Sequence, residues 1–289
     1  MNDADHPQSA DPTRRDVLIG VASVAAAAHV GFARAAGPAA TTAITTEATG
    51  LSTGDVQVPT ADRTIPAYVA RPVGAGPLPV VVVVQEIFGI HEHIRDVCRR
   101  FAREGYLAIA PYLYARQGEV AGLAAIEDVL KIVRDVPDAT VMADLDATVR
   151  YAGANGGDPA RVGITGFCWG GRIVWLYAAH SASLKAGVAW YGRLTGDTTP
   201  LQPRFPLDLA AGLRAPVLGL YGAKDKGIPL ADVERMQAAL TAANSPSTIH
   251  VYPDAEHGFH ADYRPSFHPE AAKDGFARAL GWMRAHGVG

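Results

Sequence analysis

The chain has 289 residues, of which 48% are hydrophobic, and a formal net charge of -3. That length and composition allow a large core to be buried in a single α/β domain. The small net charge and the absence of a basic stripe exclude nucleic acid as an expected partner, because phosphate binding requires clustered Lys and Arg. With only Cys98 and Cys168, a disulfide framework is not expected either.

The N-terminal segment has the pattern of an export signal. The Arg14-Arg15 pair precedes an apolar, alanine-rich stretch that runs to about Val30, and Ala33-Arg34-Ala35 is a small-residue cleavage pattern. Because paired arginines resemble a twin-arginine signal, residues 1–35 are interpreted as a signal peptide, and a periplasmic or secreted protein is expected. An uncleaved membrane anchor is the alternative, but the apolar run is short for a membrane span.

The rest of the chain is predicted as a flexible lead-in over residues 36–51 and one α/β domain over residues 52–289. Strands alternate with helices, which is typical of a mostly parallel sheet covered by helices on both faces. The predicted strands are Gly54–Val58, Thr64–Ala70, Val80–Val84, Tyr106–Ala110, Arg161–Gly166, Ala186–Trp190, Pro216–Tyr221 and Thr248–Tyr252. The predicted helices are Glu92–Glu104, Val120–Val133, Asp138–Ala154, Gly170–Ala179, Leu230–Ala243 and Pro269–His286. A turn is predicted at Asp158-Pro159-Ala160 and a loop or lid over Arg193–Arg214.

The segment Gly166-Phe167-Cys168-Trp169-Gly170-Gly171 lies between a predicted strand and a predicted helix. It fits the glycine-x-nucleophile-x-glycine elbow, in which small residues let a strand turn abruptly into a helix and expose the nucleophile. The helix N-terminus behind Cys168 favours the thiolate form. A glycine-rich turn with an inert cysteine is the alternative, and the order of strand, elbow and helix weighs against it. Cys98 is interpreted as a small buried hydrophobe.

A nucleophile of this kind needs a base and a group that orients the base. Asp225 follows one predicted strand and His257 follows the last, so both are expected at the carboxyl edge of the sheet, in the chain order nucleophile, acid, histidine. Asp232 and Asp254 are rival acids, but the first lies in a helical pattern and the second lies beside the histidine.

No metal or other cofactor is expected. His91-Glu92-His93, and His257 with His260, lack a third and fourth ligand at the usual spacing, and His91, His93 and His260 are interpreted as polar residues of loops and helix starts.

Several motifs resemble the dienelactone hydrolase (carboxymethylenebutenolidase) family of α/β-hydrolases, from about Gly54 to the C-terminus. They are Gln85-Glu86-Ile87-Phe88-Gly89, Ala110-Pro111-Tyr112-Leu113-Tyr114-Ala115-Arg116, the cysteine elbow, Leu220-Tyr221-Gly222-Ala223-Lys224-Asp225 and His257-Gly258-Phe259.

The resemblance implies a triad of Cys168, Asp225 and His257, and an oxyanion hole formed by the backbone N–H groups of Ile87 and Trp169. It also implies that Glu86 holds the resting cysteine protonated and inactive, which is consistent with repulsion between a carboxylate and a thiolate. A buried structural acid is the alternative for Glu86.

The sequence departs from the family at the residues that bind a substrate carboxylate. The resemblance implies an arginine four residues past the histidine, where this chain has Ala261, and Arg116, Arg193 and Arg264 are the substitutes considered. Trp169, Trp190, Tyr191 and Phe259 are candidate pocket walls, with ordinary core aromatics as the alternative.

The sequence therefore predicts hydrolysis of a small-molecule lactone or carboxylic ester through a cysteine acyl-enzyme, without a cofactor. The alternatives are another hydrolase of the same fold, such as a general esterase or a carbon–halogen hydrolase, and an exported binding protein without turnover.

Overall fold

In a computed structural model, the described part of the chain is Met1 and residues 44–74 and 76–289. The predicted signal peptide, Met1 apart, and the first part of the predicted lead-in lie outside it. Within it, the strands are β1 (Leu51–Pro59), β2 (Thr64–Pro72), β3 (Leu78–Val84), β4 (Leu107–Pro111), β5 (Gly157–Phe167), β6 (Ala186–Trp190), β7 (Val217–Gly222) and β8 (Thr248–Tyr252). The helices are α1 (Glu92–Arg103), α2 (Ile126–Arg134), α3 (Asp138–Ala154), α4 (Trp169–His180), α5 (Pro206–Leu209), α6 (Leu230–Ala242) and α7 (Pro269–Ala285), with a 3-10 turn at Ala210–Gly212.

The strands form one sheet in the order β1-β2-β4-β3-β5-β6-β7-β8. Strands β3 to β8 are parallel, and β1 and β2 add an antiparallel edge. Every residue of β3 is buried, and since alternate residues point to opposite faces, both faces of the central sheet are covered. The predicted fold class, a mostly parallel sheet between helices, is confirmed.

The position of β3 fixes where a site can form. Its neighbours are β4 on one side and β5 on the other, so the next strand along the chain is added on one side of β3 and the following strand on its other side. Such a switch point opens a crevice at the carboxyl ends of the strands. None of the helices in the described part of the chain is long and apolar enough to cross a membrane.

Three local predictions are corrected. The predicted turn Asp158-Pro159-Ala160 lies inside β5 as an irregularity in its pairing with β3, where the amide of Ala160 donates to the Asp158 side chain at 2.9 Å. The helix predicted from Val120 begins at Ile126, because Gly122 has a positive φ of 83° that ends any helical path before it. The predicted lid over Arg193–Arg214 contains α5 and the 3-10 turn.

Part of the predicted lead-in is described by the structure. Residues 44–50, here called the strap, are hydrogen-bonded to α1 and to Asp262. The amide of Thr46 donates to Asp96 at 2.5 Å, Arg99 donates to the carbonyl of Thr46 at 3.0 Å, and the amide of Ile44 donates to Asp262 at 3.3 Å. Charged side chains of α1 and the Asp262 carboxylate therefore satisfy backbone groups for which the sequence pattern predicted no partner.

Candidate active site

The elbow between β5 and α4 has the backbone of an exposed nucleophile. Cys168 has φ 56° and ψ -113°, a conformation that L-residues rarely adopt, and its amide donates to the carbonyl of Trp190 at 3.0 Å. A Cβ atom on Gly166 would lie 2.4 Å from the carbonyl of Gly170, and one on Gly171 would lie 2.4 Å from that of Trp190. The glycines are therefore required by the close approach of three backbone segments.

Asp225 and His257 meet beyond the ends of β7 and β8. The Asp225 Oδ2 atom lies 2.7 Å from Nδ1 of His257, and its Oδ1 accepts the amides of Gly227 at 2.8 Å and Ile228 at 3.1 Å. The two backbone donors fix the carboxylate so that one oxygen faces the imidazole. His257 in turn hydrogen-bonds Cys168. The structure thus brings together the three residues that the sequence predicted.

The charge state of His257 follows from its neighbours. Burial disfavours the imidazolium, but the negative charges of Cys168 and Asp225 and the hydrogen bonds to them outweigh burial and raise the pKa of His257 to about 10. At neutral pH the imidazole of His257 is therefore protonated beside the sulfur of Cys168.

Ile87 and Trp169, whose amides are the predicted oxyanion hole, follow neighbouring strands of the sheet. Trp169 is the first residue of α4, so its N–H has no carbonyl one turn earlier within the helix. Ile87 follows the end of β3, in a tight turn closed by Gly89, which has φ 75° and whose amide donates to the Glu86 carbonyl at 3.4 Å. Because β3 and β5 are adjacent, Ile87 and Trp169 come from neighbouring strand ends. Their role as an oxyanion hole, which the family resemblance implies, stays a prediction.

Glu86 is completely buried and is surrounded by donors, here called the Glu86 cage: His91, Tyr263 and Arg264. The Tyr263 hydroxyl donates a short hydrogen bond to Oε2 of Glu86 and accepts one from Nε of Arg264 at 3.1 Å. Arg264 Nη2 lies 3.4 Å from Oε1, and His91 Nε2 lies 3.7 Å from Oε2.

The cage keeps Glu86 ionised. Burial alone would raise the pKa of its carboxyl, but the charge of Arg264 and the contacts with His91 hold that pKa well below its usual range. Reciprocally, Glu86 and Tyr263 outweigh the burial of Arg264 and raise the pKa of its guanidinium. Arg264 therefore lies at the site, as the sequence suggested, but it is engaged by Glu86 and Tyr263.

The other predicted binding residues fall in different places. Arg116 was a candidate substrate-binding residue, but it lies outside the site. Its guanidinium pairs with Asp144 at 2.6 Å and with Asp62 at 2.6 Å. It lies beside a surface cavity of about 570 Å³ that no triad residue lines. Arg193 follows β6 and is exposed. Ala261 is fully buried.

Among the predicted pocket walls, Trp190 and Phe259 lie in the core, at most 1% exposed, with ring centroids 5.9 Å apart. The indole of Trp190 donates to Thr165 at 3.0 Å. Tyr191 is the one that faces the triad: its ring meets that of His257 edge-on at 5.1 Å, its φ is 38°, and its buried hydroxyl has no hydrogen-bond partner among the described residues. Trp169 is partly buried and its ring lies 5.0 Å from that of Tyr114.

Sequence reasoning missed Tyr263 and the use of the histidines. His93 lies 3.0 Å from Asp262, which also accepts from Arg100 at 2.7 Å, and the rings of His93 and His260 are 5.4 Å apart. Across residues 44–74 and 76–289, no three side chains of the His, Cys, Asp or Glu type are grouped to hold a metal ion. The only sequence signal for Tyr263 was its position next to Arg264.

The parallel sheet, the strained elbow and the order nucleophile, acid, histidine at one sheet edge define the class of the protein as an α/β-hydrolase. The chain belongs to the dienelactone hydrolase family, whose model matches residues 65–287.

Relatives support the same assignment. The chain is 56% identical over 268 residues to a Methylorubrum extorquens protein named "Putative carboxymethylenebutenolidase", with 92% of each chain covered. A protein of the same name from Salmonella typhimurium is 56% identical over 259 residues, which is 89% of this chain and 96% of the relative. A crystal structure from Klebsiella pneumoniae, described as a "Putative Dienelactone Hydrolase", matches with a TM-score of 0.80 at 57% identity, over 81% of this chain and 98% of that one. The protein is thus a dienelactone hydrolase-like hydrolase.

Proposed function

We propose that this protein hydrolyses lactones or small carboxylic esters through a thioester on Cys168. The observation that carries the proposal is the continuous contact from Asp225 to His257 to Cys168, with Cys168 held at φ 56° on the elbow. A strained backbone at the tip of a strand, next to a protonated imidazole, is characteristic of an activated nucleophile.

In the proposed reaction the Cys168 thiolate attacks the carbonyl carbon, and the amides of Ile87 and Trp169 stabilise the oxyanion. As the carbon–oxygen bond breaks, the leaving alkoxide takes the proton from the imidazolium of His257, which leaves an acyl thioester and a neutral imidazole. His257 then accepts a proton from water as the water oxygen attacks the thioester. Collapse of that intermediate releases the carboxylic acid and restores the thiolate–imidazolium pair.

The proposed substrates do not require a carboxylate next to the reacting group. Ala261 is buried and supplies no cation, and the guanidinium of Arg264 is taken up by Glu86 and Tyr263. The names of the relatives denote hydrolysis of a butenolide, which supports a lactone as the substrate class.

The test compares Cys168→Ala with Cys98→Ala, a matched substitution of the other cysteine. Substrates are p-nitrophenyl acetate and a panel of lactones, paired with and without a carboxylate. Cys168→Ala is expected to lower kcat by at least about 10⁴-fold, because removing a nucleophile leaves only binding and oxyanion stabilisation. Cys98→Ala is expected to retain activity. Equal turnover by native and Cys168→Ala protein would contradict the mechanism.

We also propose export to the periplasm or beyond, on the basis of residues 1–35. Cell fractionation with N-terminal sequencing tests this, and the expected product begins at Ala36. Cytoplasmic protein with Met1 retained would overturn the proposal.

A further inference from the structure

Tyr191 is a buried residue whose hydroxyl has no hydrogen-bond partner among the described residues. Its side chain is 0% exposed. Every other buried tyrosine in residues 44–74 and 76–289 donates or accepts a hydrogen bond through its hydroxyl. Because burying an unpaired hydroxyl lowers the stability of a protein, a group of this kind beside a reactive site indicates a role in binding.

The backbone of Tyr191 is held in a conformation that L-residues rarely adopt, with φ 38°. Its amide donates to the carbonyl of Leu220 at 2.8 Å, and the carbonyl of the preceding Trp190 accepts from the amide of Cys168 at 3.0 Å. The segment that carries Tyr191 is therefore tied to the elbow itself. Strain of this kind persists only where the surrounding structure imposes it, and it is found mainly at functional sites.

The register of the sheet brings Tyr191 level with the proposed nucleophile. Phe167 of β5 pairs with Trp190 of β6, so Cys168 and Tyr191 each follow a paired residue on adjacent parallel strands. The ring of Tyr191 meets that of His257 edge-on, with the centroids 5.1 Å apart. Tyr191 thus lies beside the residue that transfers protons in the proposed reaction.

The hydroxyl of Tyr191 lies among the titratable groups of the site. Those that act on it are Glu86, Arg264, Tyr263 and Cys168. Burial, together with the charge of Glu86, raises the pKa of the Tyr191 hydroxyl well above its usual value. The hydroxyl therefore stays protonated at neutral pH, where it can donate one hydrogen bond and also accept one.

We infer that Tyr191 is a catalytic residue, whose hydroxyl binds the oxygen atom that exchanges a proton with His257. The inference rests on the proposed function, because both steps pass through a thioester on Cys168. In acylation, the hydroxyl donates to the leaving alkoxide while His257 protonates it. In deacylation, the hydroxyl accepts one hydrogen of the attacking water, His257 takes the other, and the water oxygen bonds to the thioester carbon. The hydroxyl itself is not consumed in either step.

The test compares native protein with Tyr191→Phe, which removes the hydroxyl and keeps the ring. Full-length protein in excess is mixed with p-nitrophenyl acetate. Release of p-nitrophenol reports acylation, and acid quenching with mass spectrometry of the Cys168 peptide reports loss of the acetyl group. Deacylation is expected to slow by about tenfold, the effect of one hydrogen bond in the transition state. Acylation by this ester is expected to slow by less than about threefold, because p-nitrophenolate leaves without being protonated.

An alkyl ester makes acylation depend on the hydroxyl as well. Ethyl acetate releases a strongly basic alkoxide, whose protonation by His257 limits the rate of acylation. Tyr191→Phe is therefore expected to lower kcat/KM for ethyl acetate by about tenfold, but that for p-nitrophenyl acetate by less than about threefold. A merely structural role does not distinguish the two leaving groups, so equal losses for the two esters would contradict the inference.

Alkylation of Cys168 by iodoacetamide separates this role from an effect on the thiol. The rate is measured by mass spectrometry of the Cys168 peptide, and Cys98 lies in a separate peptide. In Tyr191→Phe this rate is expected to stay within about twofold of native, because alkylation involves neither a leaving alkoxide nor water. A loss of alkylation as large as the loss of deacylation would show that the hydroxyl acts on the sulfur, and would overturn the inference.

Tyr106→Phe is the matched control. Tyr106 is 1% exposed, and its hydroxyl donates to the carbonyl of Val288 at 2.9 Å. Native acylation and deacylation rates are expected, with a lower urea midpoint because a buried hydrogen bond is lost. Tyr191→Phe is expected to keep the native midpoint or exceed it, since no hydrogen bond is lost. A larger fall for Tyr191→Phe than for Tyr106→Phe would mean that the Tyr191 hydroxyl is structural.

The inference and the proposed function fail in different ways. If native protein forms no acetylated Cys168, the proposed function is wrong and the inference with it. If acetylated Cys168 forms and is hydrolysed at the same rate in native protein and in Tyr191→Phe, the proposed function stands and the inference alone is overturned.

Discussion

The two cysteines show how differently the same side chain behaves in two regions of this molecule. Both side chains are buried: Cys98 is 0% exposed and Cys168 is 6% exposed. Cys98 lies on α1, in regular helix, where burial outweighs the nearby Arg99 and Arg95 and raises the pKa of its thiol well above the usual value. Cys168 lies on a left-handed turn at a strand end, hydrogen-bonded to a protonated imidazole. Burial therefore does not separate them.

The cations near the two sulfurs differ in what else they contact. Arg95 pairs with Asp55 at 2.8 Å, and Arg99 pairs with Glu92 and Asp96, so the charges near Cys98 are used to hold α1 against β1 and the strap. His257 is instead oriented by one buried carboxylate and faces the sulfur. Under the proposed mechanism, the reactivity of a cysteine in this protein depends on a cation that contacts the thiol and on a backbone that exposes the thiol.

Asp225→Asn is expected to have the largest effect on the difference between the two cysteines. The substitution preserves shape but removes the charge that favours the imidazolium of His257, and kcat on p-nitrophenyl acetate is expected to fall by about 10³–10⁴-fold. The free energy of unfolding is measured alongside by urea denaturation, to separate chemistry from folding.

Asp232→Asn is the control for this prediction, because Asp232 was the rival acid. It lies in the first turn of α6, where it accepts from Thr195 at 2.7 Å and pairs with Arg235 at 3.1 Å. Near-native kcat is expected. If Asp232→Asn lost activity and Asp225→Asn kept it, the assignment of the acid would be reversed.

The sequence predicted the elbow and the triad because their signals are local. Each triad residue follows a strand whose hydrophobic run is visible in the chain, and parallel strands bring their carboxyl ends together. The cage was out of reach, because Tyr263 and Glu86 are 177 residues apart and meet only through side-chain directions. The hydrogen bonds of the strap were out of reach for the same reason: Thr46 bonds to Asp96 and Arg99 of a helix that begins only after three intervening strands. The pattern of strands and loops therefore predicts where the site lies, whereas the electrostatics of the site depend on charged side chains that meet only in the folded chain.

Gly171→Ala tests whether the elbow depends on backbone proximity. Its Cβ would lie 2.4 Å from the Trp190 carbonyl and 2.9 Å from the backbone of Gly192, neither of which is a flexible side chain. The free energy of unfolding is expected to fall by about 3 kcal/mol in urea denaturation, since overpacking costs more than the gain in helix propensity. Gly281→Ala on α7, where a Cβ meets nothing within 4 Å, is expected to stabilise the protein by about 0.5–1 kcal/mol. Native stability of Gly171→Ala would show that the elbow backbone can yield.

Asp96→Asn tests the charged region around Cys98 and has the smallest expected effect. Asp96 is 1% exposed and accepts from Thr46 of the strap, from Arg99 at 3.0 Å and from Arg100 at 2.6 Å. Losing the charge is expected to lower the free energy of unfolding by about 2 kcal/mol, because hydrogen bonds to a buried charged group are weakened.

Asp274→Asn provides the surface counterpart, since Asp274 pairs with Arg278 in an ion pair that is nearly half exposed on each side. The substitution is expected to lower the free energy of unfolding by less than about 1 kcal/mol, because exposed pairs are screened by solvent.

For Asp96→Asn, the alkylation rate of Cys168 is expected to stay within about threefold of native, since the charges of α1 stabilise the helix and the strap, whereas His257 contacts the sulfur. A greater loss of the Cys168 alkylation rate would mean that the two regions are coupled. The coupling would run through Arg100, which contacts both Asp96 and Asp262, the residue before Tyr263.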